Sequence, residues 1–310
     1  MAADRAPAST ESYHLPASIE RLRERVDRTL EEVLDDALRG AAAEVAEPVR
    51  YAVLGEGKRI RPTLLLAGYR AADGGDPPPD LFRLSCSVEL VHAYSLIHDD
   101  LPCMDDDDLR RGRPALHVRD GEAVAVFTGA VLMPLAVRII ADSGRRLSLG
   151  EERTARLVSV LTRAAGASGM VGGQLRDLEA EGEQLDREAL ERIYRGKTAA
   201  LIAASVAMGG LAAGAVGERL ERLEEYGRKL GLAFQIVDDV LDLTASEREL
   251  GKPSRRDVDL EKATYPALFG LEEASRRSRR LAQEARDAVS GLPAAVTLRE
   301  LAEFVVERGR

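Results

Sequence analysis

Two clusters of aspartates, each joined to an apolar run of helical spacing, constrain this chain more than any other feature. In the first, residues 88–97 are almost wholly apolar and lead straight into His98-Asp99-Asp100. The segment 98–113 then holds six aspartates followed by three arginines. In the second, Phe234-Gln-Ile-Val-Asp-Asp-Val-Leu-Asp-Leu-Thr244 places Asp238 and Asp242 four residues apart, on one face of a helix. Like charges at that spacing destabilise a helix mildly, and more so where its other face is buried, unless a cation lies between them. A solvated acidic loop accounts for one such cluster. Two of them, each set on an apolar helix, are better explained if they face each other across a cavity.

Hard divalent cations take oxygen ligands, and Mg²⁺ is commonly held by one or two carboxylates together with substrate phosphates. Arg110 and Arg111 follow the first cluster directly, and arginine suits bidentate contact with phosphate. The combination points to a metal–diphosphate site. A second basic element, Gly55-Glu-Gly-Lys-Arg-Ile-Arg-Pro62, puts Lys58, Arg59 and Arg61 in a glycine-flanked loop that opens a helix, an anion-binding arrangement. His92 lies seven residues before Asp99, on the same helical face. Lys197, between Gly196 and an apolar run, has no packing purpose, and Lys252 and Lys262 each admit either a surface or a site reading.

Helical spacing runs through the whole chain, as in the stripe Ile19, Leu22, Val26, Leu30, Val33, Leu34 and Ala37, and strand signals are almost absent. No break in composition separates the two acidic clusters, so one domain must unite them. The expectation is a loose tail over residues 1–18 and a single all-α domain over 19–310, with Pro134 kinking or breaking one helix. A net charge of −9 argues against nucleic acid or an anionic membrane as partner. Cys86 and Cys103, without metal-ligand spacing, read as reduced thiols of a cytoplasmic protein. Residues 198–217 carry no charge but are mostly Ala and Gly, which suits a buried central helix better than a membrane span.

Together these motifs resemble the trans-polyprenyl diphosphate synthases, from about residue 20 to the end. The family's Asp-Asp-x-x-x-x-Asp is matched by Asp99, Asp100 and Asp105, and its Asp-Asp-x-x-Asp by Asp238, Asp239 and Asp242. Gly57, Lys58, Arg61 and Pro62 match Gly-Lys-x-x-Arg-Pro; Gly196, Lys197 and Thr198 match Gly-Lys-Thr. Gly172, Gly173, Gln174 and Asp177 match Gly-Gly-Gln-x-x-Asp, and Phe234-Gln235 precedes the second acidic motif.

The resemblance implies the isoprenoid synthase fold, a homodimer, and Mg²⁺, three ions with Mn²⁺ as a substitute, held by Asp99, Asp100, Asp105, Asp238 and Asp242. It implies an allylic diphosphate (dimethylallyl or geranyl) on Arg110, Lys197 and Lys252, and isopentenyl diphosphate on Lys58, Arg61, His92 and Arg111. Thr198, Gln235 and Lys262 are further implied substrate contacts, and Asp99, Asp100, Asp105, Asp238 and Lys197 the catalytic set. Tyr94 lies five residues before Asp99, about 7–8 Å lower on the helix, and Ser95 one turn below it. A tyrosine at that place resembles bacterial farnesyl diphosphate synthases, so the expected product is C15, with C20 the alternative.

Three positions depart from the family pattern: Ala130 where an aspartate is common, Pro134 in the same helix, and Glu261 before Lys262. They leave open a non-catalytic regulatory subunit. A terpene cyclase is disfavoured, because Asp242 and Ser246 stand where its second motif needs Ser/Thr and Glu, and the chain is 4% aromatic without Trp.

Overall fold

The computed structural model describes residues 15–250 and 263–308, with side chains described over 15–244 and 263–308. Lys252, Glu261 and Lys262 lie outside them. Among the described residues the regular structure is fourteen α-helices and one π-helical turn. The only strands among them form a short hairpin, β1 (Leu109–Arg110) and β2 (Arg113–Pro114), paired antiparallel.

The chain begins with α1 (Ala17–Ala37), α2 (Ala43–Val53), α3 (Ile60–Asp73) and α4 (Pro79–Asp99). On α1 the expected stripe is the buried face: Ile19, Val26, Leu30 and Leu34 are fully buried against the core. Each such side chain contributes roughly 1.5–3 kcal/mol. Helix α4 is buried along most of its length and ends at Asp99, so the first acidic motif hangs from the C-terminal end of a core helix.

After the hairpin come α5 (Leu116–Asp120), α6 (Glu122–Arg146), α7 (Glu151–Ala165), α8 (Met170–Glu179) and α9 (Arg187–Tyr194). Asp186 caps α9 by accepting from the Ala189 amide, 2.8 Å. The π turn Arg195–Ala199 then feeds α10 (Ala200–Ala212). Contrary to expectation, Pro134 neither breaks nor ends α6, which runs on to Arg146. Pro134 itself is exposed. By length and composition α6 would cross a membrane, with mean hydropathy 2.1 and only 39% of that window buried. The Ala-rich α10 is instead buried almost throughout.

The long α11 (Glu218–Leu250) carries the second acidic motif, followed by α12 (Tyr265–Phe269), α13 (Leu271–Ala288) and α14 (Val296–Glu307). Small residues let α10 lie against its neighbours backbone to backbone. A Cβ added at Gly209 would stand 1.9 Å from the Leu65 carbonyl oxygen, and one at Gly68 2.4 Å from that of Val206, so α3 and α10 cross at two glycines. At Gly231 an added Cβ would stand 2.4 Å from Ala199 Cα, which fixes α11 against the end of the π turn. Gly231 lies seven residues before Asp238 on α11. The tight crossing therefore registers the second acidic motif against Lys197.

Because this contact is backbone to backbone, Gly209→Ala cannot be absorbed by a rotamer change. The expected cost is about 1–3 kcal/mol, read as a lowered urea midpoint with unchanged slope.

Candidate active site

Helix α4 ends on Asp99, and the chain turns back at once. The Asp105 amide donates to the Asp99 carbonyl at 2.9 Å, buried Leu101 anchors the turn, and Asp106 takes a left-handed φ of 49°. The hairpin returns Arg110 to Asp100, with Arg110 Nε 2.8 and 3.2 Å from the two carboxylate oxygens. Arg111, with φ 55°, donates to the Glu56 carbonyl. The Arg111 guanidinium packs closely over Gly57, 2.7 Å from where a Cβ would stand. The hairpin is braced from behind by Tyr51, whose ring is stacked by Arg113 and Arg119, each 4.0 Å away, and whose hydroxyl donates to Pro114 O. The basic hairpin and the basic loop at 55–61 thus form one unit.

That loop turns on Arg59, left-handed at φ 48° and buried. Its guanidinium reaches Asp27 (2.7 Å), Glu89 (2.7 Å) and the Gly55 carbonyl (2.6 Å). With Arg59 turned inward, its neighbours Lys58 and Arg61 line the cavity. His92 lies beside them. Burial, reinforced by Arg61 and Arg111, holds its imidazole well below the usual pKa, so it is neutral at pH 7. Burial also lowers Lys58 and Arg61.

On the opposite wall Lys197 Nζ lies 2.6 Å from Asp177. Burial pushes this amine down, but Asp177, with Asp105 and Asp99, raises it above the ordinary lysine value. Asp238 accepts from Arg308 at 3.2 Å, and Arg308 also stands 5.0 Å from the Phe234 ring. Asp239 turns away from the cavity and accepts from the Tyr194 hydroxyl, the Tyr265 amide (2.9 Å) and Gln235 Nε2 (3.1 Å). Thr198 Oγ1 donates to Gln235 at 2.6 Å. The second motif therefore splits, with one aspartate for the cavity and one for the scaffold.

Between these walls lies a cavity of about 680 Å³. Of the residues singled out from the sequence, Lys58, Arg61, His92, Ser95, Asp99, Arg111, Lys197, Thr198, Gln235 and Asp238 line it. Five others are placed differently. Asp100 and Arg110 face a neighbouring hollow and hold each other. Asp105 sits at the rim, close enough to Asp99 to raise its pKa. Asp242 is exposed on α11. Tyr94 does not line the cavity; its ring stands edge-on to His98, one turn along α4, at 4.7 Å.

Arg59, expected as a third cation of the anion loop, is instead buried and paired within the protein. Glu89, Tyr194 and Arg308 were not legible from the sequence, because nothing local marks them. Ala130 and Pro134, the departures from the family pattern, both lie on the exposed face of α6, away from the cavity.

The donor set suits a hard cation. Burial pushes Asp99 up to about 6, Lys197 pulls it back and Asp105 raises it further, so this carboxylate lacks full compensation within the protein. Burial raises Asp238 too, against the pull of Arg308. Among the described residues no three His, Cys, Asp or Glu side chains already form a closed metal cluster. The acids stand on facing walls, as they would around metal ions shared with a diphosphate.

A family model described as polyprenyl synthetase matches residues 42–296. The chain is 44% identical over 271 residues to the farnesyl diphosphate synthase of Escherichia coli K12, covering 86% of this chain and 90% of that one. It is 42% identical over 269 residues to the chloroplastic geranylgeranyl pyrophosphate synthase 11 of Arabidopsis thaliana, covering 85% and 74%. Among solved structures, the geranyltransferase of Helicobacter pylori complexed with magnesium and isoprenyl diphosphate superposes with TM-score 0.75 at 30% identity, covering 95% and 98%.

Because Asp99 must be ionised to hold a cation, Mg²⁺ affinity in the presence of an unreactive diphosphate should fall with acidification. The expected drop is about tenfold per pH unit below the Asp99 value of about 6, measurable by titration calorimetry between pH 7.5 and 5.

Proposed function

The chain belongs to the polyprenyl synthetase family and is a short-chain prenyltransferase, and from that premise we propose that it makes farnesyl diphosphate by adding isopentenyl diphosphate to dimethylallyl and then geranyl diphosphate. The observation that supports this reading is one cavity lined by Asp99, Asp238 and Lys197 together with the basic loop at 55–61.

The allylic diphosphate would lie between Asp99, Asp105, Asp238 and Lys197. When bound, Mg²⁺ ions, three in this reading with Mn²⁺ as a substitute, would neutralise that diphosphate and make it a better leaving group. Lys197, kept charged by its carboxylate neighbours, stabilises the negative charge that grows on the departing oxygen. Asp100 acts through Arg110 by setting the hairpin. Arg308 would exchange Asp238 for a diphosphate as the site fills. Lys252 and Lys262 are proposed as further phosphate contacts, outside the described residues.

Isopentenyl diphosphate would sit on Lys58, Arg61, Arg111 and neutral His92, with Thr198 and Gln235 shaping the space between the substrates. The C1–O bond of the allylic substrate breaks with its electron pair going to the diphosphate. The double bond of isopentenyl diphosphate then attacks C1. A proton leaves C2 of the added unit, taken up by the released diphosphate, and the new allylic double bond forms.

We further propose a cytoplasmic homodimer joined through α6. Val126 and Phe127 are 42% and 70% exposed on a helix that would otherwise leave an apolar face in water. Ala130 and Pro134 lie on the same face and bear on assembly rather than on chemistry. Phe127→Glu is expected to shift the protein from dimer to monomer in sedimentation, and an unchanged dimer would place the interface elsewhere.

The deciding experiment is product sizing with Mg²⁺, isopentenyl diphosphate and C5, C10 or C15 allylic starters. A dominant C15 alcohol after dephosphorylation is expected from the C5 and C10 starters; a C20 product would give the geranylgeranyl reading its place. In this reading Tyr94, on α4 five residues before Asp99, acts as a stop beneath the growing chain although it does not line the cavity, and Tyr94→Ala should lengthen the product by at least one five-carbon unit.

A further inference from the structure

Two adjacent arginines leave the hairpin in different directions. Arg110 pairs with Asp100, whereas Arg111 lines the cavity and donates to the Glu56 carbonyl. The two-residue turn between the strands makes this possible. Arg110 stands opposite Arg113 in the ladder, and the loop residues Arg111 and Gly112 both have positive φ, 55° and 74°. Such turns favour Asn-Gly or Gly-Gly, because a left-handed backbone is unfavourable for a bulky residue. Gly112 adopts it freely. Arg111 must be kept there by contacts from outside the turn.

The return strand is gripped by Tyr51 of α2. The Tyr51 hydroxyl donates to the Pro114 carbonyl at 2.7 Å, and the guanidinium carbons of Arg113 and Arg119 each stand 4.0 Å from the ring centre. A cation over an aromatic face is attracted by the ring quadrupole. One side chain thus holds both residues of β2 and the short α5 that follows. With Leu96, Asp100 and Arg110, Tyr51 also borders a hollow of about 60 Å³ behind the hairpin, room into which the hairpin can shift once the ring is removed. Tyr51 itself does not line the cavity.

We propose that Tyr51 is a positioning residue for the isopentenyl diphosphate half of the site, acting through Arg111. The inference rests on the prenyltransferase reading. Arg110 keeps its place without Tyr51, because Asp100 holds its guanidinium directly. Among the described residues Arg111 has a neutral partner, the Glu56 carbonyl, so its aim depends on the turn that carries it. Loss of the Tyr51 grip therefore falls on the substrate that Arg111 meets and spares the allylic one.

The test is Tyr51→Leu with Tyr51→Phe beside it, assayed with geranyl and isopentenyl diphosphates and Mg²⁺. In Tyr51→Leu, KM for isopentenyl diphosphate should rise about tenfold, the worth of one charge-assisted hydrogen bond. KM for geranyl diphosphate and kcat should stay within twofold. Tyr51→Phe keeps the ring between the guanidinium groups and should recover most of the loss. By calorimetry, adding Tyr51→Leu to Arg111→Ala should cost no further affinity for isopentenyl diphosphate, since the group through which Tyr51 acts is already gone. An unchanged KM for isopentenyl diphosphate in Tyr51→Leu would overturn the proposal, and so would additive losses in the double variant. Equal losses toward both substrates with a lowered thermal midpoint would make Tyr51 structural and overturn it too. If the wild type itself fails to condense, the prenyltransferase reading fails. Titration of isopentenyl diphosphate without Mg²⁺ into wild type and variants then still decides the role of Tyr51, and equal affinities, or none in the wild type, would sink it.

Discussion

Everything in this molecule depends on holding carboxylates out of water, on facing helices, without fully neutralising them. Burial raises Asp99 against the pull of Lys197 and Arg110, and Asp238 against that of Arg308, Arg61 and Lys58. Such a site is stable only if the helices that carry it cannot relax. The backbone-level crossings of α10 with α3 and of α11 with the π turn supply that rigidity. The price is a core built from Ala and Gly where larger side chains would bury more apolar surface.

The cations are managed in two ways. Some are paired within the protein: Arg110 with Asp100, Lys197 with Asp177, Arg308 with Asp238, and Arg59 with Asp27 and Glu89. These pairs set positions, and the buried Arg59–Glu89 pair fixes geometry more reliably than it adds stability. Others, Lys58, Arg61 and neutral His92, face the cavity with their ionisation lowered by burial. A diphosphate entering between them meets poorly compensated positive charge in a half-enclosed space, where electrostatic attraction is stronger than at an open surface.

Asp239 illustrates how a motif can mislead when its members are taken as equivalent. It stands beside Asp238 in sequence, yet a helix rotates successive residues by about 100°. One carboxylate lines the cavity, and the other enters the satellite cluster of Tyr194 and Tyr265. Asp99 and Asp100 separate in the same manner. Neighbours in an acidic run thus divide into a cavity-facing group and a group that fixes the surrounding frame.

The all-α class, the buried stripe of α1, the anion loop before α3 and the two acidic helices were all legible from the sequence, because periodicity and local charge are properties of short segments. Which members of a charged run reach the cavity was not, because that depends on helix rotation and on partners distant in the chain. Arg308 meets Asp238 across 70 positions, and Tyr194 meets Asp239 across 45. The continuity of α6 through Pro134 was likewise not readable from the local pattern. The sequence by itself determined what chemistry was present and on which helices. Only the tertiary structure decided which side chains confront one another, since contact between distant segments follows from helix crossings that no local pattern encodes.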